Sequence, residues 1–310
     1  MKPLTKAIHD YLALRRSLGF KLRDAGRELA NFASFMEQRD AQIVTAQLAL
    51  EWAQQPRHVQ PAQWSQRLRH VRCFARHHLA SEPRTEVPPA GLLPFRAARA
   101  RPYLYSADEI QCLLEQALQL PSSAPLRPWT FHALLGLLSV TGLRVGEALR
   151  LCLGDVDLDT AVLTVRGTKF GKSRLVPIHS STRDVLVRYR TRRASELGGR
   201  QAPHFFVTRT GCPLDGGDVR NTFYRLSRQI GLRAEHDSHG PRLHDFRHRF
   251  AVETLLGWYR SGQDVERLLP VLSTYLGHVR VSDTYWYLSA HPQLMQLAMT
   301  RLEKRWEPQQ

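Results

Sequence analysis

The sequence is poor in cysteine, and its four cysteines stand far apart without a CxxC pair. This spacing argues against a zinc module and against a disulfide framework, and it suits a reducing compartment. Long apolar runs are also missing, and residues 1–21 carry charges every few positions. A membrane-spanning helix and a secretory signal are therefore not expected. The sequence predicts a soluble cytoplasmic protein.

Lysine is scarce too, since the chain holds six lysines beside 38 arginines. The formal net charge is nevertheless +16. Residues 1–100 carry 16 basic and 8 acidic side chains and residues 101–310 carry 28 and 20, so each part contributes about half of the excess. A positive charge spread over a folded chain predicts a polyanionic partner, most often nucleic acid. An acidic membrane or an acidic protein is the weaker interpretation, because no basic amphipathic helix stands out.

Apolar spacing predicts four helices in residues 1–80, with Asp24 and Thr45 as possible helix caps. Residues 81–102 contain five prolines and several arginines, and such a stretch cannot be one helix. We interpret it as an extended basic linker. The expected domains are a helical DNA-binding domain (1–85), a linker (86–102) and a second domain (103–310).

The second domain mixes helical patterns with one predicted hairpin. Ser106 is placed to cap a helix, and Gly142 is placed to end the next one. Short apolar runs on both sides of the turn "GTKFGKS" predict two paired strands, and "HFFV" (204–207) predicts another. The fold class expected for the chain is mainly α with a small β-sheet (α+β).

Five short motifs in the second domain contain residues suited to phosphate chemistry: "TGLRVGE", "TKFGKSRLVP", "LHDFRHRFA", "YLGH" and "TYWY". Each is weak by itself, because an arginine before a helix or a lysine in a turn is usually a solvated surface charge. In this order they resemble the catalytic set of the tyrosine recombinase (phage integrase) family. That set is Arg, Lys, His-x-x-Arg, His or Trp, and Tyr. The resemblance extends over nearly the whole chain, since the family also has a helical (SAM-like) core-binding domain and a linker.

The resemblance implies that DNA strands are cut and rejoined through a 3′-phosphotyrosine. Arg144 and Arg247 correspond to the two arginines that bind the non-bridging phosphate oxygens, for which planar guanidinium groups are well suited. A tyrosyl ester conserves the bond energy for rejoining. Lys169 aligns with the family's general acid, because lysine can release a proton to the leaving oxygen and arginine cannot.

The remaining positions follow from the same resemblance. His244 matches the histidine that helps to accept the tyrosine proton, and His278 matches the position that donates a hydrogen bond to the phosphate. Glu147 matches an acid that orients the arginine or a histidine. Nothing in this set requires a metal or another cofactor. Further DNA contacts are expected in the hairpin and the linker, at Lys172, Arg174, Arg96, Arg99 and Arg101.

Two tyrosines, Tyr285 and Tyr287, compete for the role of nucleophile. The family's nucleophile lies about nine residues after the His/Trp position, and nine after His278 is Tyr287. The two rings differ by roughly 200° around a helix, so only one can face the phosphate. We expect Tyr287 to attack, Tyr285 and Trp286 to pack, and Ser282 or Asp283 to cap the helix.

The resemblance also implies double-stranded DNA as partner and assemblies of four recombinases, of one or two kinds, on paired sites. The C-terminal segment 292–310 is expected to pass between protomers. The long interval from Arg247 to His278 favours a mobile-element or transposon subgroup. Two alternatives remain open from the sequence, a type IB topoisomerase with the same chemistry and a non-catalytic DNA-binding protein.

Overall fold

The computed structural model describes residues 3–93, 101–121, 125–167, 173–237 and 240–306. The chain divides into two compact units, Met1–Ala100 and Arg101–Gln310. This division falls inside the predicted linker, so the limits of the domains stay a prediction. The described elements are mostly helices with one three-stranded sheet, which confirms the expected fold class. Within the described residues, no helix is long and apolar enough to cross a membrane.

Four helices build the first unit: α1 (Pro3–Ser17), α2 (Arg23–Gln38), α3 (Ala46–Gln54) and α4 (Pro61–His78). Their apolar faces meet in one core. The predicted cap at Thr45 is confirmed, because its hydroxyl accepts a hydrogen bond from Leu48 N at 3.2 Å. The predicted cap at Asp24 is wrong. Helix α2 already begins at Arg23, after Leu22 in the left-handed region, and Asp24 lies in its first turn.

The chain that follows α4 returns to the helices of the first unit. Glu86 accepts a hydrogen bond from the backbone of Ala46 at 2.8 Å. Arg72 donates to the carbonyl groups of Pro88 and Pro89, both at 2.7 Å. This part of the predicted linker is therefore docked on α3 and α4.

The second unit contains nine described helices: α5 (Ala107–Leu118), α6 (Leu126–Thr141), α7 (Val145–Ala148), α8 (Ser180–Leu197), α9 (Gly216–Gln229), α10 (Asp245–Arg260), α11 (Val265–Leu276), α12 (Ser282–Ala290) and α13 (Pro292–Trp306). The caps at Ser106 and Gly142 are confirmed. The cap expected at Ser282 or Asp283 is wrong, because α12 follows Val281 without a side-chain cap.

One antiparallel sheet completes the second unit, in the order β1 (Val156–Asp157), β2 (Val162–Val165), β3 (Arg174–Pro177). The predicted hairpin is confirmed by the pairing of β2 with β3. The two-residue strand β1 was not predicted. The strand expected at 204–207 is wrong, since this segment makes only isolated bridges at its two ends.

Candidate active site

The loop that ends α11 is the meeting point of the two predicted arginines. Gly277 adopts φ +67°, which ends the helix and leaves the carbonyl groups of the last turn available. The Leu276 carbonyl accepts a hydrogen bond from Arg247 Nη2 at 2.7 Å. The Gly277 carbonyl accepts one from Arg144 Nη2 at 3.2 Å. Two guanidinium groups from distant parts of the sequence are thus attached to adjacent peptide units, just before His278.

Arg247 lies in the first turn of α10 and is buried. Its Nη1 donates to the Gly142 carbonyl at 2.9 Å, so two backbone carbonyls hold the guanidinium. Burial and the nearby charge of Arg144 lower the pKa of Arg247 to about 10, which leaves it protonated at neutral pH. Gly142 cannot carry a side chain here, because a Cβ would lie 2.7 Å from Cδ1 of Phe250.

Arg144 stands immediately before the short helix α7 and remains 39% exposed at its side chain. Its Nη1 donates to Glu147 Oε1 at 2.8 Å, and its backbone N donates to Glu147 Oε2 at 3.0 Å. One carboxylate therefore holds both the main chain and the guanidinium of Arg144, while part of the guanidinium stays accessible.

Glu147 is buried, and a second arginine, Arg174 at the start of β3, completes its contacts. Arg174 Nη2 and Nη1 donate to the two carboxylate oxygens at 2.8 and 3.2 Å. Burial alone would raise the pKa of Glu147, but the contacts with Arg174 and Arg144 prevail and hold it at about 2. The Arg174 side chain is only 9% exposed. Its guanidinium is turned inward onto a carboxylate, and its expected contact with DNA stays a prediction.

His278 is fixed by a hydrogen bond with a residue of α12. Its Nδ1 lies 2.7 Å from the hydroxyl oxygen of Thr284, which is fully buried on α12. Burial and the charges of Arg247 and Arg144 lower the pKa of His278 to about 4. The ring is therefore neutral at physiological pH. The sequence did not single out Thr284, which lies in the first turn of α12, six residues after His278.

The two candidate tyrosines have opposite environments. Tyr287 is 2% exposed and Tyr285 is 53% exposed. The Tyr287 ring stacks on His278 with centroids 6.0 Å apart, and the Tyr287 hydroxyl oxygen accepts a hydrogen bond from Arg247, which partly offsets the lowering of the Arg247 pKa. The expectation that Tyr285 packs is wrong, because it faces outward on α12. The expected packing of Trp286 is confirmed by its contact with His248, with centroids 5.0 Å apart.

His244 comes immediately before α10 and is exposed. Partial desolvation and the charge of Arg247 lower its pKa. The neighbouring Asp245 is buried and holds this turn, since it accepts hydrogen bonds from the backbone and guanidinium of Arg242 at 2.8 and 2.9 Å. The buried ring of His248 has its centroid 4.8 Å from that of His244 and 5.5 Å from that of Tyr287.

Other predicted positions cannot be placed in this arrangement. Four lie outside the described residues: Lys169, Lys172, Arg96 and Arg99. Arg101 is described and exposed. Among the described residues, no group of three or more His, Cys, Asp and Glu side chains is arranged to hold a metal ion.

Comparisons with known proteins agree with this geometry. Residues 105–293 match the model of the phage integrase family. The chain is 57% identical to the putative integrase/recombinase y4rB of Sinorhizobium fredii, over 99% of both chains. It is 30% identical to the tyrosine recombinase XerD of Caulobacter vibrioides, over 87% of this chain and 83% of XerD. The Tn1549 transposon integrase, solved with transposon right end DNA, shares the fold with a TM-score of 0.66 and 16% identity, over 97% and 98% of the two chains.

These matches define a DNA strand-transferring enzyme whose function is site-specific recombination on DNA. The chain belongs to the phage integrase family of tyrosine recombinases. The topoisomerase and the non-catalytic alternatives are not favoured, because the relatives are named as integrases and recombinases.

Proposed function

We propose that Tyr287 is the nucleophile of this recombinase and that Arg144, Arg247 and His278 bind the phosphate that it attacks. The observation that carries the proposal is the convergence of these side chains on the loop Leu276–His278. Both arginines donate to carbonyl groups of that loop, and His278 stacks on Tyr287. The assignment rests on this geometry together with the order of the family's catalytic set.

In the proposed reaction, the Tyr287 oxygen attacks the phosphorus of one DNA strand. A 3′-phosphotyrosine bond forms, the bond to the 5′ oxygen breaks, and that oxygen leaves with a proton. Arg144 and Arg247 neutralise the charge on the non-bridging oxygens, which is the main means of catalysis in phosphoryl transfer. Attack by the 5′ hydroxyl of another strand reverses these steps and needs no external energy source.

Proton transfer is assigned to two further residues. His244 accepts the proton of Tyr287 during attack, for which its lowered pKa is suitable because the ring is neutral at physiological pH. Lys169, which lies outside the described residues, remains our proposed general acid for the 5′ oxygen. Tyr287 is buried in the structure, so we propose that binding of DNA exposes its hydroxyl group before attack.

His278 must donate a hydrogen bond to the phosphate in this scheme. A neutral ring can donate from Nε2 only if Nδ1 accepts, and the Thr284 hydroxyl then has to be the donor in their 2.7 Å contact. We assign this tautomer. Thr284 therefore acts as a positioning residue for His278.

A nicked DNA substrate that traps the covalent intermediate tests the choice of nucleophile. Tyr287→Phe should abolish the protein–DNA adduct, because the attacking oxygen is removed. Tyr285→Phe is the matched control, and it should form the adduct at the wild-type rate because this ring is 53% exposed and is not assigned a role in the reaction. An adduct with Tyr287→Phe and none with Tyr285→Phe would reverse the assignment.

We further propose that double-stranded DNA is held by both units of the chain, domain 1–85 and domain 103–310. The linker arginines, among them the exposed Arg101, then contact phosphates. The free cysteines suit a cytoplasmic setting. The high identity to y4rB and the fold shared with a transposon integrase support a role in a mobile element.

Assembly of four protomers on paired sites is also a proposal, and helix α13 supports it. Leu294 on α13 is buried in its own unit, whereas one stripe of the helix carries exposed apolar side chains: Met295, Met299, Leu302 and Trp306. Such a stripe is typical of a protein contact. We propose that a neighbouring protomer covers it on DNA.

Substitution on this stripe is a sharper test than deletion of 292–310, which would also remove the buried Leu294. Met299→Gln should weaken cooperative binding to paired sites and leave binding to a single half-site unchanged. Thr300→Ala is the control, because Thr300 is exposed and lies about 100° around α13 from Met299. Unchanged cooperativity of Met299→Gln in a gel-shift titration would contradict the proposed contact.

A further inference from the structure

We propose that Arg174 is a positioning residue for strand cleavage, acting through Glu147 on Arg144 and through the end of α11 on His278. This inference rests on the proposed function, because it assumes that Arg144 binds the scissile phosphate. The sequence suggested a direct DNA contact for Arg174, and we propose the positioning role in place of that contact.

The first link joins three charged groups in series. Arg174 donates to both oxygens of Glu147, and Glu147 Oε1 in turn accepts from Arg144 Nη1 at 2.8 Å. A carboxylate has two oxygens with four lone-pair directions, so it can bind both guanidinium groups at once. Because the Glu147 side chain is only 3% exposed, water cannot replace either arginine at low cost.

The second link joins β3 to the loop that carries His278. Arg174 Nε donates to the Tyr275 carbonyl at 2.7 Å, two residues before Gly277. The absence of a side chain at Gly277 makes room for this arginine, since a Cβ there would lie 2.7 Å from Arg174 Nη1. Arg174 is thus enclosed by the backbone of the α11 terminus on one side and by Glu147 on the other.

These links explain how Arg174 can affect cleavage without touching DNA. Arg144 donates to the Gly277 carbonyl and to Glu147, and Arg174 holds both of those partners in place. Without Arg174, the buried Glu147 keeps only one arginine in direct contact, and the α11 terminus loses its bond to β3. The guanidinium of Arg144 would then have more orientations, and a displacement of about 1 Å at a reacting group can cost about 100-fold in rate.

The test compares Arg174→Met with Arg166→Met in the full-length chain. Arg166 is a matched control, because it follows β2 in the same hairpin and pairs with a carboxylate, Asp155, outside this network. Single-turnover cleavage of a nicked site is measured with protein in excess, and DNA affinity is measured as a function of salt. Arg174→Met should cleave about 10- to 100-fold more slowly with wild-type affinity and salt dependence, and Arg166→Met should keep the wild-type cleavage rate.

A pH profile distinguishes positioning from a general loss of structure. The groups that face Glu147 are Arg144, Arg174 and, at longer range, Arg247. Without Arg174, burial should raise the pKa of Glu147, so Arg174→Met should lose cleavage activity at mildly acidic pH where the wild type does not. The double variant Arg174→Met/Glu147→Gln should lack this acid-sensitive step, because it has no carboxylate to protonate.

Three results would overturn the inference. One is wild-type cleavage by Arg174→Met, and another is a shallower salt dependence of its DNA binding, which would indicate a phosphate contact. If Arg174→Met is shown by thermal melting to be unfolded, Arg174→Lys takes its place. Lysine lacks the planar fork with which Arg174 contacts both oxygens of Glu147 and the Tyr275 carbonyl, so wild-type cleavage by that variant is the third result. Absence of an adduct with the wild-type protein would instead refute the proposed function.

Discussion

Replacement of Thr284 by valine removes one hydroxyl group from a fully buried position on α12 and nearly preserves the shape of the side chain. That hydroxyl makes the 2.7 Å contact with His278 Nδ1. In Thr284→Val the ring loses the donor that selects its tautomer. The proton can then occupy Nδ1, and Nε2 no longer donates to the phosphate.

The expected changes in stability and in cleavage rate follow from the kind of hydrogen bond that is lost. One hydrogen bond contributes about 1 kcal/mol to folding, so the variant should remain folded. Complete removal of a donor that stabilises transition-state charge costs about 100- to 1,000-fold in rate. A misdirected donor retains part of the stabilisation of the transition state. We therefore expect the rate of single-turnover cleavage to fall about 10- to 100-fold.

Rapid-quench measurement of covalent adduct formation on a nicked site provides the assay, with DNA affinity measured in parallel. Thr284→Ser keeps the hydroxyl group and should cleave at close to the wild-type rate. If Thr284→Val cleaves as fast as Thr284→Ser, the hydroxyl does not orient His278 and the assigned tautomer is refuted.

Three further predictions concern DNA binding, pH and packing. DNA affinity should fall steeply with salt concentration, since a net charge of +16 implies several phosphate contacts, and a flat titration would contradict this. Stability should fall as the pH drops from 6.5 towards 4, because the unfolded chain protonates His278 before the folded protein does. Melting temperatures at pH 7 and pH 5 measure this loss, and it should be smaller in His278→Gln. Gly142→Ala should destabilise more than Gly198→Ala in thermal melting, because both have positive φ but only Gly142 would meet another side chain.

Helix ends show where sequence reasoning succeeds. Thr45 and Ser106 were predicted as caps and are caps, because a cap is a bond between residues three apart that needs no other part of the fold. Asp24 and Ser282 have equally suitable side chains, but α2 and α12 begin so that both lie inside the first turn. The choice among neighbouring start positions depends on how the whole helix packs.

Some features of the candidate site could likewise be predicted from the sequence, and others could not. The order of arginines, histidines and tyrosine resembles the catalytic set of the tyrosine recombinase family, and the spacing that the family has after the His/Trp position selected Tyr287 over Tyr285. In the structure Tyr287 is buried and Tyr285 is exposed, and the choice of nucleophile stays a prediction. The sequence could support this prediction because the order and spacing of a family's motifs are properties of the chain itself and do not depend on how the chain packs.

The supporting contacts were decided only by the tertiary structure. Arg174 was predicted to contact DNA, but it lies against Glu147 and the Tyr275 carbonyl, 27 and 101 residues away in sequence. Arg144 reaches the Gly277 carbonyl across 133 residues. An arginine that binds phosphate and one that binds a buried carboxylate are identical in sequence. What distinguishes them is the desolvation that arises when β3, α7 and the end of α11 pack together, and this depends on the complete fold.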